Sequence, residues 1–398
     1  MSITKPSLFP TKQTKIIATI GPATSSSEML EQLLLAGMNV VRINASHGDH
    51  ETHKQTIANI RKLDEELGSN TSILVDLQGP KLRIGELEGD EINLEEGAEL
   101  RIKVGAESGS TGVVYTNYES FAKDVKPGES VLFDDGKLKV EVVSTDSDSE
   151  VVCKVIYGGI LKPRKGINLP DTEISLPCIT EKDERDLAFA LEHNADWIGL
   201  SFVRNPNDIE QLRKRIDAEE KHARIIAKIE KPEAVEMLDE IIEITDAVMI
   251  ARGDLGVEIP MEEVPLLQRK IIDKCRSASR PVIVATQMME SMIESSTPTR
   301  AEVNDVATAV LDGADAVMLS AETSVGKYPV HAVKAMCQII KNMEANNDRA
   351  FNERPPYNPD DDRFITDSIC YNACRLARRT KAAAIVTMTY SGYTAMHV

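Results

Sequence analysis

The chain has 398 residues, which at about 150 residues per domain allows two or three domains and a large buried core. Lysine and arginine number 46 against 64 aspartates and glutamates, a formal charge of −18 that opposes binding to nucleic acid or to an anionic membrane. Aromatic residues are only 4 %, with one Trp, too few for a stacking platform, and no apolar run approaches the ~18 residues of a membrane span.

In chain order, residues 1–13 carry no apolar signal core. A short, continuously apolar run then follows an amphipathic stretch again and again. The runs are Lys15–Ile20, Asn39–Ile43, Ser72–Leu77, Asp196–Ser201, Arg224–Ile229, Asp246–Ala251, Pro281–Thr286 and Asp315–Ser320. Such runs suit buried parallel strands. Between them, helical spacing marks Glu28–Ala36, Asp186–Glu192, Pro206–Lys221, Pro232–Ile244, Glu262–Ser279, Pro298–Leu311 and Tyr328–Glu344. Ser25-x-x-Glu28 and Thr180-x-x-Asp183 have capping-box spacing, and Asn194 and Gly313 stand where left-handed C-caps sit. Eight strand–helix alternations predict an α/β fold, a (βα)8 TIM barrel, over residues 1–82 and 171–345.

Two segments break the pattern. Residues 83–170 switch toward a period of two, with strands expected at Val131–Phe133, Lys137–Val143 and Glu150–Tyr157, and form a β-rich lid inserted after strand three. Residues 346–398 carry a Pro/Asp-rich linker (Pro355 to Asp362), a helix (Phe364–Thr380) and an expected strand (Ala382–Met388), the start of an α/β C-terminal domain. The six cysteines include no C-x-x-C, and no His pair joins Cys370 and Cys374 into a zinc set; they read as reduced, mostly buried thiols of a cytoplasmic protein.

Barrels of this kind work at the C-terminal ends of their strands. There the sequence places Arg42, Asn44, Ser46 and His47 after strand two, Asp76 after three, Ser201 after four, Lys228 and Glu230 after five, Arg252, Gly253 and Asp254 after six, Thr286 and Gln287 after seven, and Ser320 and Glu322 after eight. Glu230 and Asp254, on adjacent strands, suit Mg²⁺ or Mn²⁺ with open positions for substrate oxygens. Lys228 stands two residues before Glu230, on the same side of the strand, where an ammonium neutralises a phosphoryl group or an enolate. Each residue alone reads as an ordinary loop acid or surface base; their convergence on one rim favours a site.

Several stretches resemble pyruvate kinases: Thr14–Pro22, Arg42–Gly48, Ile226–Glu230, Ala251–Pro260, Ala285–Met288 and Met318–Thr323, in order along the chain. The resemblance implies phosphoryl transfer from phosphoenolpyruvate to ADP, giving pyruvate and ATP. It implies metal ligation by Glu230 and Asp254, and transition-state stabilisation by Lys228. The substrate carboxylate would lie on Gly253, Asp254 and Thr286, with the phosphate on Arg42. The enolate proton would come by way of Thr286 and Ser320. The nucleotide side would comprise Asn44, Ser46, His47, Arg83 and Lys165. It further implies a homo-oligomer, a tetramer in the family. Residues 346–398 are shorter than the family's C-terminal domain, so at most a barrel-mediated dimer is expected here, although Thr389–Thr394 resembles the start of that domain's phosphate loop. The family's monovalent-cation pocket maps to Asn44, Ser46, Asp76 and Leu77. Leu77-Gln78 stands where potassium-dependent members usually have Thr-Lys, and Lys81 where they have Glu; this resembles the potassium-independent branch, with the Lys81 ammonium replacing K⁺. A lyase on a related barrel, using Glu230 and Asp254 to hold Mg²⁺ and an enolate, is the competing enzyme reading, and a catalytically dead subunit the non-enzyme one.

Overall fold

The computed structural model describes residues 8–346, 355–356, 359–360 and 362–398. The N-terminal seven residues and three of the eight positions of the expected linker (357, 358 and 361) lie outside the described residues. Eight parallel strands close a barrel: Lys15–Thr19, Val40–Asn44, Ser72–Asp76, Trp197–Leu200, Arg224–Ile229, Ala247–Ala251, Val282–Ala285 and Ala316–Leu319. Each neighbours the next in sequence, and the first pairs with the last. The expected strands are all present: Arg224–Ile229 keeps its expected bounds, Val40–Asn44 is shifted by one residue, and the other six run one or two residues shorter.

Apolar residues separate into three clusters. Ile17, Leu74, Ile226, Met249, Ile283 and Met318 are among those filling the barrel interior. A larger shell, including Ile16, Val41, Ile225, Val248 and Val317, packs the outer strand faces against the helices. The alternation along Arg224–Ile229 therefore buries both faces, which explains the unbroken apolar runs. The lid has its own core around Phe121, Phe133, Leu100 and Val140.

The helices largely match their expected positions. Ser26, not Ser25, caps Ser27–Ala36, since its hydroxyl accepts from the Met29 amide. The Thr180/Asp183 capping box is complete and starts its helix at Glu181, five residues earlier than the apolar periodicity suggests. Pro232–Ile244 divides at Met237 into Pro232–Glu236 and Leu238–Ile244. His50–Leu67 was not anticipated, although Asp49 caps it, Ile57, Ile60 and Leu63 share its buried face, and Gly68 closes it in the left-handed region. Asn194 and Gly313 do adopt positive φ.

The lid is a mixed six-stranded sheet in the spatial order Ile167–Asn168, Ser130–Phe133, Leu138–Thr145, Glu150–Tyr157, Glu99–Val104, Val113–Thr116, beside a two-stranded ribbon of Ile92–Leu94 and Gly159–Leu161. Three of these strands were expected. Toward the C-terminus the helix Phe364–Thr380 forms, but Ala382–Met388 is irregular. A strand exists through its ladder, and among the described residues none pairs with this segment, whose Val386 and Met388 are 89 % and 97 % exposed. All six cysteines are free thiols, five of them buried. No helix of the described residues is long and apolar enough to cross a membrane.

Candidate active site

The rim at the C-terminal strand ends holds a continuous chain of buried charges. Arg42, at the end of strand two, donates from Nε (2.8 Å) and Nη2 (2.6 Å) to Asp76 Oδ2 and from Nη1 to Thr19 Oγ1 (2.9 Å). Asp76 ends strand three and is 1 % exposed. A Cβ on Gly199 of the next strand would lie 2.9 Å from its Oδ1, so a glycine there makes room for the carboxylate. Lys228 Nζ stands 3.2 Å from Asp76 Oδ1 and 2.8 Å from Glu230 Oε1, and donates to Ser201 Oγ at 2.7 Å. The approach to Oδ1 lacks hydrogen-bond alignment, leaving that oxygen a buried acceptor without a donor. Glu230 Oε2 accepts from the Phe202 amide at 2.7 Å.

The electrostatics follow from this packing. Burial works against the Lys228 charge, but the Asp76 and Glu230 carboxylates outweigh it and raise its pKa above the usual lysine value. Burial likewise pushes Asp76 upward, and Lys228 with Arg42 overcomes it to hold the carboxyl below its usual range. Glu230 moves the other way. Burial drives its pKa up, Lys228 opposes this, and the neighbouring Asp254 charge adds to the rise.

Asp254 lies on the short helix Arg252–Glu258 that begins directly after strand six. Its partner strand seven ends in an unusual turn. Thr286 and Gln287 both occupy the left-handed region (φ 67° and 53°), which for a β-branched residue costs on the order of 1–3 kcal/mol. Arg252 holds the turn. Its guanidinium donates to the Ala285 and Thr286 carbonyls at 3.2 and 2.8 Å and pairs with both oxygens of Asp305 at 2.7 and 2.8 Å. So aimed, Thr286 Oγ1 accepts from the Gly253 amide and donates to Ala285 O, both at 2.6 Å. Ser320 follows strand eight, and its amide donates to Glu322 Oε2 at 2.6 Å. Glu322 is buried, also accepts from the Met289 amide at 3.2 Å, and has its pKa raised by burial.

The remaining sequence-derived residues lie further from this charge chain. Asn44, whose Oδ1 accepts from the Ser46 amide, Ser46 and exposed His47 form the turn after strand two. Arg83 and Lys165 come together on the lid, where Arg83 pairs across from Gly166. There Arg83 Nη1 donates to Arg164 O and Lys165 lies 2.6 Å from Asp134. Leu77 is 1 % exposed in the outer shell, so its side chain cannot line a cation pocket; its carbonyl instead accepts from Ser201 Oγ. Lys81 is exposed at the lid hinge near Gly166 and does not pair with Asp76, whose cationic partners are Arg42 and Lys228. Sequence reasoning missed Asp305, Lys231 and Glu258 as parts of this region. Arg252 and Asp305 are 53 positions apart on different elements, and no local pattern links them.

The donor set fits a hard divalent cation. Burial, with the Asp254 charge adding to it, raises the Glu230 pKa, and a cation held by both carboxylates would favour the charged form of Glu230. No group of three or more His, Cys, Asp or Glu among the described residues forms a closed metal cage, so the cation would keep positions for water or substrate.

A family model described as the pyruvate kinase barrel domain matches residues 11–333. A pyruvate kinase of Corynebacterium glutamicum is 47 % identical over 387 residues, covering 97 % of this chain and 80 % of its own length. One from Mycobacterium tuberculosis is 46 % identical over 386 residues, covering 96 % of this chain and 80 % of its own. The crystal structure of a pyruvate kinase from Cryptosporidium parvum superposes with a TM-score of 0.88 at 39 % identity, over 97 % of this chain and 80 % of that one. With the closed barrel, the inserted lid and the charged rim, these similarities establish that the chain belongs to the pyruvate kinase family.

Proposed function

We propose the following division of labour on the rim for the reaction of this family, transfer of the phosphoryl group of phosphoenolpyruvate to ADP with release of pyruvate and ATP. Lys228 carries the reading. It is a buried ammonium held between Asp76, Glu230 and Ser201, at a strand end where an anionic transition state is to be met. As the phosphoryl group leaves, negative charge spreads over its oxygens and over the enolate oxygen left behind. A fixed ammonium stabilises that charge without reorganisation. Arg42, rigid through its bond pair to Asp76, binds the substrate phosphate with its remaining donor capacity.

The substrate carboxylate takes the Gly253 amide from Thr286 Oγ1, freeing the threonine hydroxyl to face the substrate. Once the phosphoryl group has gone, a proton must reach the terminal carbon of the enolate; the Thr286 hydroxyl delivers it and is reprotonated from solvent by way of water and Ser320. Asn44, Ser46, His47, Arg83 and Lys165 receive ADP between the rim and the lid. Mg²⁺ or Mn²⁺, held by Glu230 and Asp254, would add positive charge at the enolate and phosphoryl oxygens.

We also place the activity outside K⁺ dependence, with the protein cytoplasmic and homo-oligomeric. The first rests on Lys81 standing, with Leu77-Gln78, where potassium-dependent members usually have other residues, and the unpaired thiols fit the second. Exposed Met261 and Leu266, next to the helix bearing Asp254, support self-association. The test is ADP-dependent pyruvate formation from phosphoenolpyruvate, with Mg²⁺ and with or without K⁺. Pyruvate formed without ADP, by carbon–carbon cleavage of another substrate, would replace this reading with a lyase.

A further inference from the structure

Directly after Glu230 the chain buries a second lysine. Lys231 is 3 % exposed, and its partner is not a rim carboxylate but Glu258, with Nζ 2.9 Å from Oε2. Glu258 is the last residue of the helix that opens with Gly253 and Asp254. Its other oxygen, Oε1, accepts a hydrogen bond from Asn168 Nδ2 at 2.9 Å. Asn168 ends the strand by which the lid returns to the barrel, paired there with Leu132. Lys231 Nζ also reaches the carbonyl of Leu169, the next lid residue, at 3.5 Å. Three segments thus converge on one buried carboxylate: the end of barrel strand five, the helix carrying Asp254, and the lid's return strand. The lid approaches the same helix again at Gly136, where an added Cβ would lie 3.5 Å from Val257 Cγ1.

A buried ion pair is a poor source of stability, because desolvation consumes most of the attraction and an apolar pair of similar volume often does as well. What such a pair imposes is geometry: neither partner shifts without stranding a charge. Here the constraint has a direction. Lys231 is covalently next to one acidic rim residue, and Glu258 is one helical turn beyond the other.

We propose that Lys231 and Glu258 are positioning residues that lock the Arg252–Glu258 helix to the lid through Asn168, so that the placement of the lid and of Gly253–Asp254 is set jointly. The linkage rests on the contacts above; its consequence for metal binding rests on the assignment of Asp254 given under Proposed function. Cutting the lid link alone should loosen a helix on the barrel.

The test uses the full chain. Asn168→Ala removes one hydrogen bond and leaves the ion pair intact. Hydrogen–deuterium exchange should then accelerate in residues 252–258 by about fivefold, the worth of one hydrogen bond, with strand Val282–Ala285 unchanged. The dissociation constant of Mn²⁺, measured by equilibrium binding, should rise by a similar factor. In the apolar double variant Lys231→Met/Glu258→Leu, adding Asn168→Ala should change neither quantity further. Unchanged exchange in residues 252–258 of Asn168→Ala, or a full additional effect in the double-variant background, overturns the proposal. Faster exchange with unchanged Mn²⁺ affinity upholds the latch and removes Asp254 from the metal site.

Discussion

Lys228→Met is the sharpest test of the rim. The substitution keeps length and apolar stem but deletes an ammonium with three partners: Ser201 Oγ at 2.7 Å, Glu230 at 2.8 Å and Asp76 at 3.2 Å. Breaking a buried pair costs about 3–5 kcal/mol when the remaining charge is stranded. Here the stranding is limited. Asp76 keeps both donors of Arg42, and Glu230, already raised in pKa by burial, sheds its charge by taking a proton. The fold should therefore survive with a loss near or below the bottom of that range, read as a shift in urea midpoint. Catalysis has no such escape. Loss of a charge contact made mainly in the transition state costs ~3 kcal/mol or more, on the order of 10²-fold or greater in turnover. Mn²⁺ binding should not weaken, because the lysine competes with the cation for Glu230. Turnover near that of the unmodified protein, in a folded variant that still binds Mn²⁺, would refute the role given to Lys228.

Three further outcomes are expected. Glu230→Gln and Asp254→Asn should each raise the Mn²⁺ dissociation constant, since each removes an anionic oxygen from a site with two protein carboxylates; unchanged metal dependence in both variants would dismiss the assignment. Replacing K⁺ by a bulky organic cation at constant ionic strength should leave activity intact, and Lys81→Glu should make it K⁺-responsive. Loss of activity in the unmodified chain on removing K⁺ would contradict that reading. At the opposite end of the barrel, burial lowers the Lys12 pKa to about 8, against the opposing pull of Cys337. Unfolded lysine, near 10.5, then binds more protons than the folded form between those values. Stability from this group is therefore absent below pH ~8 and returns as pH rises toward 10.5, by up to about 1.4 kcal/mol per pH unit. Urea unfolding of Lys12→Met against the unmodified chain should show that difference shrinking with the substitution; identical pH slopes would count against it.

The barrel was legible because each of its strands is buried on both faces and each helix on one, so periodicity alone separates them. Glu99–Val104 alternates just as plainly, with Leu100 and Ile102 inward and Arg101 and Lys103 outward, yet it was not singled out. Val131–Phe133, Lys137–Val143 and Glu150–Tyr157 were, because turn residues flank them. The failure at Ala382–Met388 has a different cause: β-rich composition states a preference, and only a partner strand turns it into structure. The site divides in the same way. Lys228, Glu230 and Asp254 lie close in sequence or at matching strand ends, and the chain displays them together. Asp305, which locks Arg252, and Glu258, which pairs with Lys231, are brought in by helix packing. Leu77 shows the limit of position alone, since a residue one step beyond Asp76 turns its side chain to the opposite side of the strand.

The rim's charges also explain how so polar a cluster is compatible with a closed apolar barrel. Arg42, Asp76, Lys228 and Glu230 alternate in sign along one line of contacts, two cations and two anions that balance without any ligand. Each would cost several kcal/mol to bury alone; as a chain each is compensated by its neighbours. The barrel can thus fold with its reactive groups already in place, which is the preorganisation that electrostatic catalysis requires. Asp254 stands outside the line, half-buried, and contributes one uncompensated negative charge beside Glu230. A divalent cation held there would reverse the local sign to a single positive charge. The site would then meet phosphoenolpyruvate and the ADP phosphates as an attractive surface, within a chain whose overall charge of −18 would otherwise repel them. On these charges the folded rim carries one net negative charge from Asp254, a bound divalent cation would make it receptive, and anionic substrates would complete it.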